Sequence, residues 1–376
     1  MDHRADDARL RPGTLLGRPD CAALADHGVR ALAERFADPE HGGWFSELPG
    51  GRKEAYAHAF VLLAASSATI AGRPGAAALL HEAIAVIERR FWSEPEGACL
   101  ESWDREWTEP EGYRGANANM HMVEAFLAAG DATGDPRWYD RAGRIAAKLI
   151  DGFARVSGWR VPEHFDAGWA PLADYNRDAP RDPFRPFGVT PGHALEWSRL
   201  LLALRAALAA PPAWLVDAAR GLFARAVDEG WVEPGGFVYT TDHDGQPVAI
   251  ERLHWPVTEA IGAAAVLHAV TGAEEYARWQ ERCWAFAADH LIDPDRGGWW
   301  PRARRGAAAG GADMSGQARR LPRVPGDAHP AVAGASQPGG RAALRPEQVV
   351  QPLDGRVRCA TRPRDRGRPC DVNGLH

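Results

Sequence analysis

Apolar residues return at three- and four-residue spacing through nine stretches of the chain. The stretches are Ala22 to Phe36, Ala55 to Ala71, Ala76 to Phe91, Asn117 to Ala132, Pro136 to Phe153, His193 to Ala209, Pro212 to Val227, His254 to Thr271 and Glu274 to Leu291. That period turns one face of a helix toward a core, so each stretch is a predicted helix. No segment alternates for long enough to suggest a sheet-based core. Short segments rich in Gly and Pro separate the helices.

The separators repeat. DPEHGGWFSE begins at Asp38, EPEGACLESWD at Glu94, VSGWRVPEHFD at Val156, PGGFVYTTDHD at Pro234 and DPDRGGWWP at Asp293. Each is an acidic or glycine turn, then an aromatic or aliphatic pair, then a polar tail. Their spacing is one helical hairpin plus a loop, the mark of a helical array. The expected fold is all-α, a one-domain α/α barrel whose inner helices frame a pocket. An open solenoid is the alternative, disfavoured because every turn carries the same aromatic hairpin.

The end of the chain behaves differently. From Pro301 to His376 there is no Phe, Trp, Tyr, Ile or Lys. Arg, Gly, Ala and Pro without an apolar period cannot bury enough surface to offset chain entropy. A low-complexity disordered tail is the plain expectation for 301–376.

Composition adds exclusions. A net charge of -6 gives no reason to expect nucleic acid or an anionic membrane as partner. The five cysteines are scattered and show no CxxC spacing, which points to a reducing compartment and away from a disulfide frame or a zinc site. No apolar run is long enough to span a membrane, and the first residues lack an apolar signal region, so a cytoplasmic protein is the default. The 15 Trp suit a carbohydrate site or a wide helical barrel, with core packing the commoner role for any one of them.

Four predicted helix starts carry a histidine. His193 and Glu196 stand at i, i+3 in PGHALEW, on one face with Trp197. His254 precedes Pro256, which suits a first helical turn, and Glu259 follows five residues on, about 140° round an ideal helix. A third segment offers Tyr113, Arg114, Asn117, Asn119, His121 and Glu124, and a fourth Tyr56 and His58. Histidines converging at one barrel mouth could move protons near neutral pH. There is no HExxH motif, and metal binding is only weakly signalled, since the same His/Glu pairs serve hydrogen-bonded dyads. A glycosidase would need two carboxylates across a cleft, for which Glu163, Asp166, Glu196 and Glu259 are candidates. Trp44, Trp159 and Trp255 could line a sugar pocket, with core packing at least as good a reading for each.

PGHALEW, RLHWPVTEAIGAA, YRGANANMHMVEAF, WRVPEHFD, KEAYAHAF and GGWW together resemble the N-acylglucosamine 2-epimerase superfamily, closest to its mannose isomerase and sulfoquinovose isomerase branch. The resemblance runs from about Thr14 to Trp300. It implies an (α/α)6 barrel, here incomplete at both ends, with no metal or other cofactor and an acid/base pair of histidines. It places the catalytic set on His254, His193, Glu196 and Glu259. Substrate-binding roles then fall to Tyr113, Asn117, Asn119, His121, Arg252, Trp255, Trp44 and Trp159. Val257 stands where the acylglucosamine epimerases carry a histidine, which argues against that branch. The implied chemistry is a 1,2-proton shift on a monosaccharide through a cis-enediolate, of the D-mannose to D-fructose type. A 2-epimerase acting on an N-acylglucosamine or a disaccharide is the alternative, and an inactive remnant is the third.

Two family motifs are missing, an N-terminal W-I-T-A-R-M-T-H type and a C-terminal G-K-P-D-x-Y-H-A-x-Q-A-T-L-I-P type. Gln317 to Pro330, QARRLPRVPGDAHP, read one base later with GC-rich codons, permits K-P-D-A-Y-H-A-Y-Q-A-T-L-I-P. Pro301 onward permits H-E-L-D, and MDHRADDARLR permits W-I-T-A-R-M-T-H-V-Y. The expected organisation is therefore an out-of-frame leader at 1–13, the barrel at 14–300 and a frame-shifted tail at 301–376. Severely reduced or absent turnover is the corresponding expectation for this polypeptide.

Overall fold

The computed structural model describes residues 21–48, 50–295 and 298–304. The leader assigned to 1–13 and all but the first residues of the tail lie outside the described residues.

Each predicted helix forms, with ends shifted by a few residues. They are α1 (Cys21–Ala31), α2 (Ala55–Ile70), α3 (Ala76–Val86), α4 (Ala116–Thr133), α5 (Arg137–Ala146), α6 (Pro191–Ala207), α7 (Trp214–Gly230), α8 (His254–Thr271) and α9 (Glu274–His290). Wider π turns, Leu32–Phe36, Ile87–Phe91 and Ala147–Ala154, continue α1, α3 and α5 directly. Outer and inner helices alternate along the chain. Inner helices α2, α4, α6 and α8 pack on one another in that order, and each packs on an outer neighbour. The layers show in the sequence. α2 reads AYAHAFVLLAASSATI and buries residues on almost every side, as an inner helix must. Outer α5 reads RWYDRAGRIA and buries only Trp138, Ala142, Ile145 and Ala146. The two layers make a curved wall of the α/α toroid class.

The repeated separators have one structural job. Four of the five close a tight turn just after an outer helix, with pairings Ala37–Trp44, Trp92–Cys99, Trp231–Phe237 and Ile292–Trp299. The strand leading into an inner helix then pairs with the next separator along. β1 (Lys53–Glu54) pairs with β4 (Ser102–Trp103), and β5 (Tyr113–Gly115) with β6 (His164–Asp166), while β2 (Trp92–Ser93) and β3 (Ala98–Cys99) are the arms of the second separator's turn. The step repeats as Val189 with Thr241 and Leu253 with Arg302. These antiparallel steps stitch successive hairpins together at the end where the inner helices begin. Backbone polar groups at the helix entries are thereby satisfied, and the following histidines are held in register.

One boundary moves. Residues 301–304, assigned above to the tail, pair with the barrel: the His254 N–H donates to the Pro301 carbonyl at 3.2 Å and the Ala303 N–H to that of Arg252 at 2.9 Å. The ladder step at Leu253 needs a partner strand, and these residues supply it. The ordered barrel therefore runs to at least Arg304. Among the described residues, no helix is long and apolar enough to cross a membrane.

Candidate active site

Helix α6 begins at Pro191, whose missing N–H costs nothing in a first turn. Gly192 follows because α6 and α8 nearly touch there. A Cβ on Gly192 would stand 2.3 Å from the Trp255 ring. This close approach lays the His193 imidazole against the Trp255 indole, centroids 5.4 Å apart. His193 Nδ1 lies 2.9 Å from Glu163 Oε1, and both side chains are buried. Glu196, expected to attend His193, serves another group.

That group is a charged cluster spanning α4, α6 and α8. Arg199 Nε donates to Glu259 Oε2 at 2.8 Å, and its Nη2 lies 3.3 Å from Glu124 Oε1 and 3.9 Å from Glu196 Oε1. His121 Nδ1 lies 3.5 Å from Glu196 Oε1 and 3.9 Å from Glu124 Oε2. Three carboxylates share one guanidinium and one imidazole. Burial and the neighbouring charges of Glu259 and Glu124 push the Glu196 carboxyl well above the ordinary carboxylate range. Burial also works against the ionised form of Glu124, but His121 and Arg199 outweigh it and bring its carboxyl down to about 2. The cluster thus disfavours ionisation at Glu196 and favours it at Glu124. His121, Glu124 and Glu196 bring ligand-type atoms within 4.8 Å of one another, so they could offer donors to a cation. Arg199 already supplies positive charge to the two carboxylates among them.

His254 opens α8, half-buried, with Nδ1 3.3 Å from the Pro301 carbonyl oxygen. Tyr113 and Asn117 line a cavity of about 710 Å³ with Tyr56, Glu101, Phe184 and Arg185. The Tyr113 hydroxyl lies 2.6 Å from His164 Nδ1, and His164 Nε2 donates to the Pro186 carbonyl at 2.7 Å. The second bond leaves Nδ1 as acceptor for the Tyr113 O–H. Tyr56 meets His121 edge to face at 5.0 Å and Phe184 at 5.7 Å, linking the cavity to the charged cluster.

Several expected site residues are spent on structure instead. Trp44 is fully buried and donates its indole N–H to the Leu32 carbonyl, because the first separator folds its aromatic pair into the core. Trp159 packs against Gly221 of the outer helix α7 and under the Arg155 guanidinium. Asn119 is buried with its amide bonded to the Cys99 N–H and to the carbonyls of Cys99 and Gly115, so it ties a turn. Arg252 donates to the carbonyls of Val232 and Glu233, holding the turn after α7. His58 is structural too: it accepts the Trp44 N–H at 3.1 Å, and its Nδ1 lies 2.7 Å from the Glu54 carbonyl oxygen. Sequence reasoning misses Arg199, although its i, i+3 spacing from Glu196 is legible. It also weighs Glu163 only as a hydrolytic carboxylate.

Glu101 sets the pH response of the cavity wall. Burial is the main cause that lifts its carboxyl to about 7; Arg185 opposes the rise and Glu111 adds to it. The native state therefore holds this proton to higher pH than the unfolded chain does. The sign follows: this contribution to stability is complete below the ordinary carboxylate value and fades as pH rises from about 4.5 through about 7. Glu101→Gln keeps an acceptor for the Gly115 N–H and cannot ionise. Urea midpoints at pH 5 and pH 8 should differ less for the variant than for the unsubstituted chain, and an unchanged pH slope would contradict the assignment.

The comparisons with known proteins agree with this architecture. The family model described as N-acylglucosamine 2-epimerase (GlcNAc 2-epimerase) matches residues 12–315. A D-mannose isomerase of Thermobifida fusca is 56% identical over 293 residues, covering 76% of this chain and 72% of its own. A D-mannose isomerase of Pseudomonas cannabina pv. alisalensis is 52% identical, covering 75% of this chain and 71% of its own. Among solved structures, a D-mannose isomerase crystal structure superposes with a TM-score of 0.75 at 30% identity, covering 81% of each chain.

Proposed function

We propose an activity from one premise: the chain belongs to the N-acylglucosamine 2-epimerase family. It is an aldose–ketose isomerase that interconverts D-mannose and D-fructose. The similarity to two D-mannose isomerases at more than half identity, over 293 residues each, carries this reading. A 2-epimerase outcome is less favoured, since the cellobiose 2-epimerase found by similarity is only 25% identical.

The reaction follows from where protons can be held. His193 takes the C2 proton of the open-chain aldose, which leaves a cis-enediolate. The hydroxyl proton on the C2 oxygen passes to the C1 oxygen, and the abstracted proton returns to C1 as the C2 oxygen becomes a carbonyl, which makes the ketose. The enediolate oxygens need hydrogen-bond donors as charge develops. Glu196, whose burial favours its protonated form, is the group proposed to supply one, and Asn117 and Tyr113 stand at the cavity wall. His254, at the start of the neighbouring inner helix, is the group proposed to protonate the ring oxygen during opening. Glu259 acts through Arg199, holding the cluster in register rather than meeting the sugar.

The organisation we propose keeps the isomerase barrel from residue 14 onward. It treats 1–13 and the chain beyond the barrel strand at 301–304 as translations out of frame. Resequencing the locus tests this, and an uninterrupted reading frame around the Trp300 codon would overturn it. The activity test is incubation with mannose in heavy water, followed by NMR. Fructose is the expected product, formed at a severely reduced rate because the two end motifs of the family are missing, and carrying either solvent deuterium or the transferred proton at C1. A C2 epimer would replace the reading by the epimerase alternative. No turnover from a normally folded chain would leave the remnant reading standing.

A further inference from the structure

Glu163 lies outside the histidine motifs, on the residue just before β6, yet it makes the shortest polar contact of His193. We infer that Glu163 is a positioning residue: it holds the His193 proton on Nδ1 and leaves Nε2 bare toward the substrate. The inference rests on the isomerase reading only in giving that bare nitrogen something to do.

The argument is one of donors and acceptors. A carboxylate can only accept, so a 2.9 Å contact between Glu163 Oε1 and His193 Nδ1 requires the proton on Nδ1. A neutral imidazole carries a single N–H, so Nε2 must then present its lone pair. Among the described residues, Glu163 is the carboxylate on His193. Glu196, one turn along α6, is engaged with Arg199 and His121. The ring cannot easily swing away, since the Trp255 indole lies against it. The carboxylate is fixed as well. The Glu163 carbonyl accepts the N–H of Ala116, the first residue of α4, at 2.9 Å, and the next residue is registered against Gly115 in the β5–β6 pair. Glu163 is thus anchored to the inner helix on one side while it orients a histidine on the inner helix at the other. His164, its neighbour, is the contrast: both of its ring nitrogens are engaged, so it has no lone pair to offer.

A base needs this arrangement because a proton on Nε2 would block abstraction outright. The test reads the tautomer directly and does not depend on turnover. The full chain is labelled with ¹⁵N-histidine and its ring nitrogens are recorded at pH 8.5, above the ordinary imidazole range. His193→Asn identifies the signals. The expected spectrum shows a protonated Nδ1 and an unprotonated Nε2. Glu163→Leu removes the acceptor, and the His193 Nε2 signal should move toward the protonated position; Glu163→Asp should restore most of the original pattern. With mannose, Glu163→Leu should lower kcat by roughly 10²-fold or more, with KM within about twofold. An unsubstituted chain whose His193 carries its proton on Nε2 would overturn the inference, as would Glu163→Leu leaving both nitrogen signals in place. If Glu163→Leu does not fold, the spectrum of the unsubstituted chain alone decides. A correct tautomer without any isomerisation would defeat the proposed activity and leave this inference intact. Isomerisation with the opposite tautomer would do the reverse.

Discussion

His193→Asn is expected to slow removal of the C2 proton of mannose by about 10³-fold relative to the unsubstituted chain, a typical loss for a positioned base. The side chain change is small in volume and keeps a polar group near Glu163, so folding should survive. The reason for so large an effect is that none of the other described histidines at the inner helix starts is equally well prepared, His254 being given to ring opening. His121 is drawn into the carboxylate cluster, and His58 and His164 have both ring nitrogens engaged. Exchange of the C2 proton into heavy water, followed by NMR, measures the step without requiring the ketose to accumulate. Binding should change little, because Asn117, Tyr113 and the cavity wall are untouched. An exchange rate within about tenfold of the unsubstituted chain would remove His193 from the role of base.

The second large effect concerns stability. Lys53 is fully buried, and its ammonium donates to Asp38 Oδ2 at 2.9 Å and to the Gly42 carbonyl at 3.0 Å. It also lies 4.1 Å above the Phe45 ring. Asp38 in turn accepts from Arg105 and from the backbone N–H groups of Glu40 and His41. Burial opposes the Asp38 charge, yet the hydrogen bonds from Arg105 and Lys53 outweigh it and hold the carboxyl well below the ordinary range. This knot closes the first separator and carries Trp44 into the core. Lys53→Met keeps the length and apolar stem while removing the charge. The outcome expected is a loss of about 3–5 kcal/mol, the cost of leaving one member of a buried pair without its partner. Urea denaturation measures it, and a loss below about 1 kcal/mol would show that Arg105 alone suffices. Because Asp38 is ionised at unusually low pH, its stabilisation is present above the ordinary carboxylate value and disappears as the solution becomes strongly acidic.

These two residues mark different degrees of legibility. His193 stands in PGHALEW, where a proline, a glycine and a helical apolar period announce a helix start by local pattern alone. Lys53 gives no such sign, since a lone lysine before a helix is usually solvated. Its burial follows from a ladder step between β1 and a separator some 50 residues later, a pairing that local pattern does not encode. Trp44, Trp159 and Trp255 show the same limit. All three follow turns rich in glycine or charge, yet only Trp255 reaches a candidate catalytic group, because only its helix abuts one at a glycine.

Local pattern suffices for the helices, their alternation and the histidines at the inner starts. Those features rest on a local period and on turn chemistry within a few residues. Which carboxylate serves which imidazole depends instead on packing between segments far apart in the chain. Glu196 is one turn from His193 and is the natural partner by spacing, but packing of α4, α6 and α8 gives it to Arg199 and His121. Glu163, some 30 residues earlier in the chain, takes the place beside His193 because β6 runs into the mouth alongside the start of α4. Hydrogen bonds between side chains depend on positions within a fraction of an ångström, and those positions are set by where whole helices come to rest against one another.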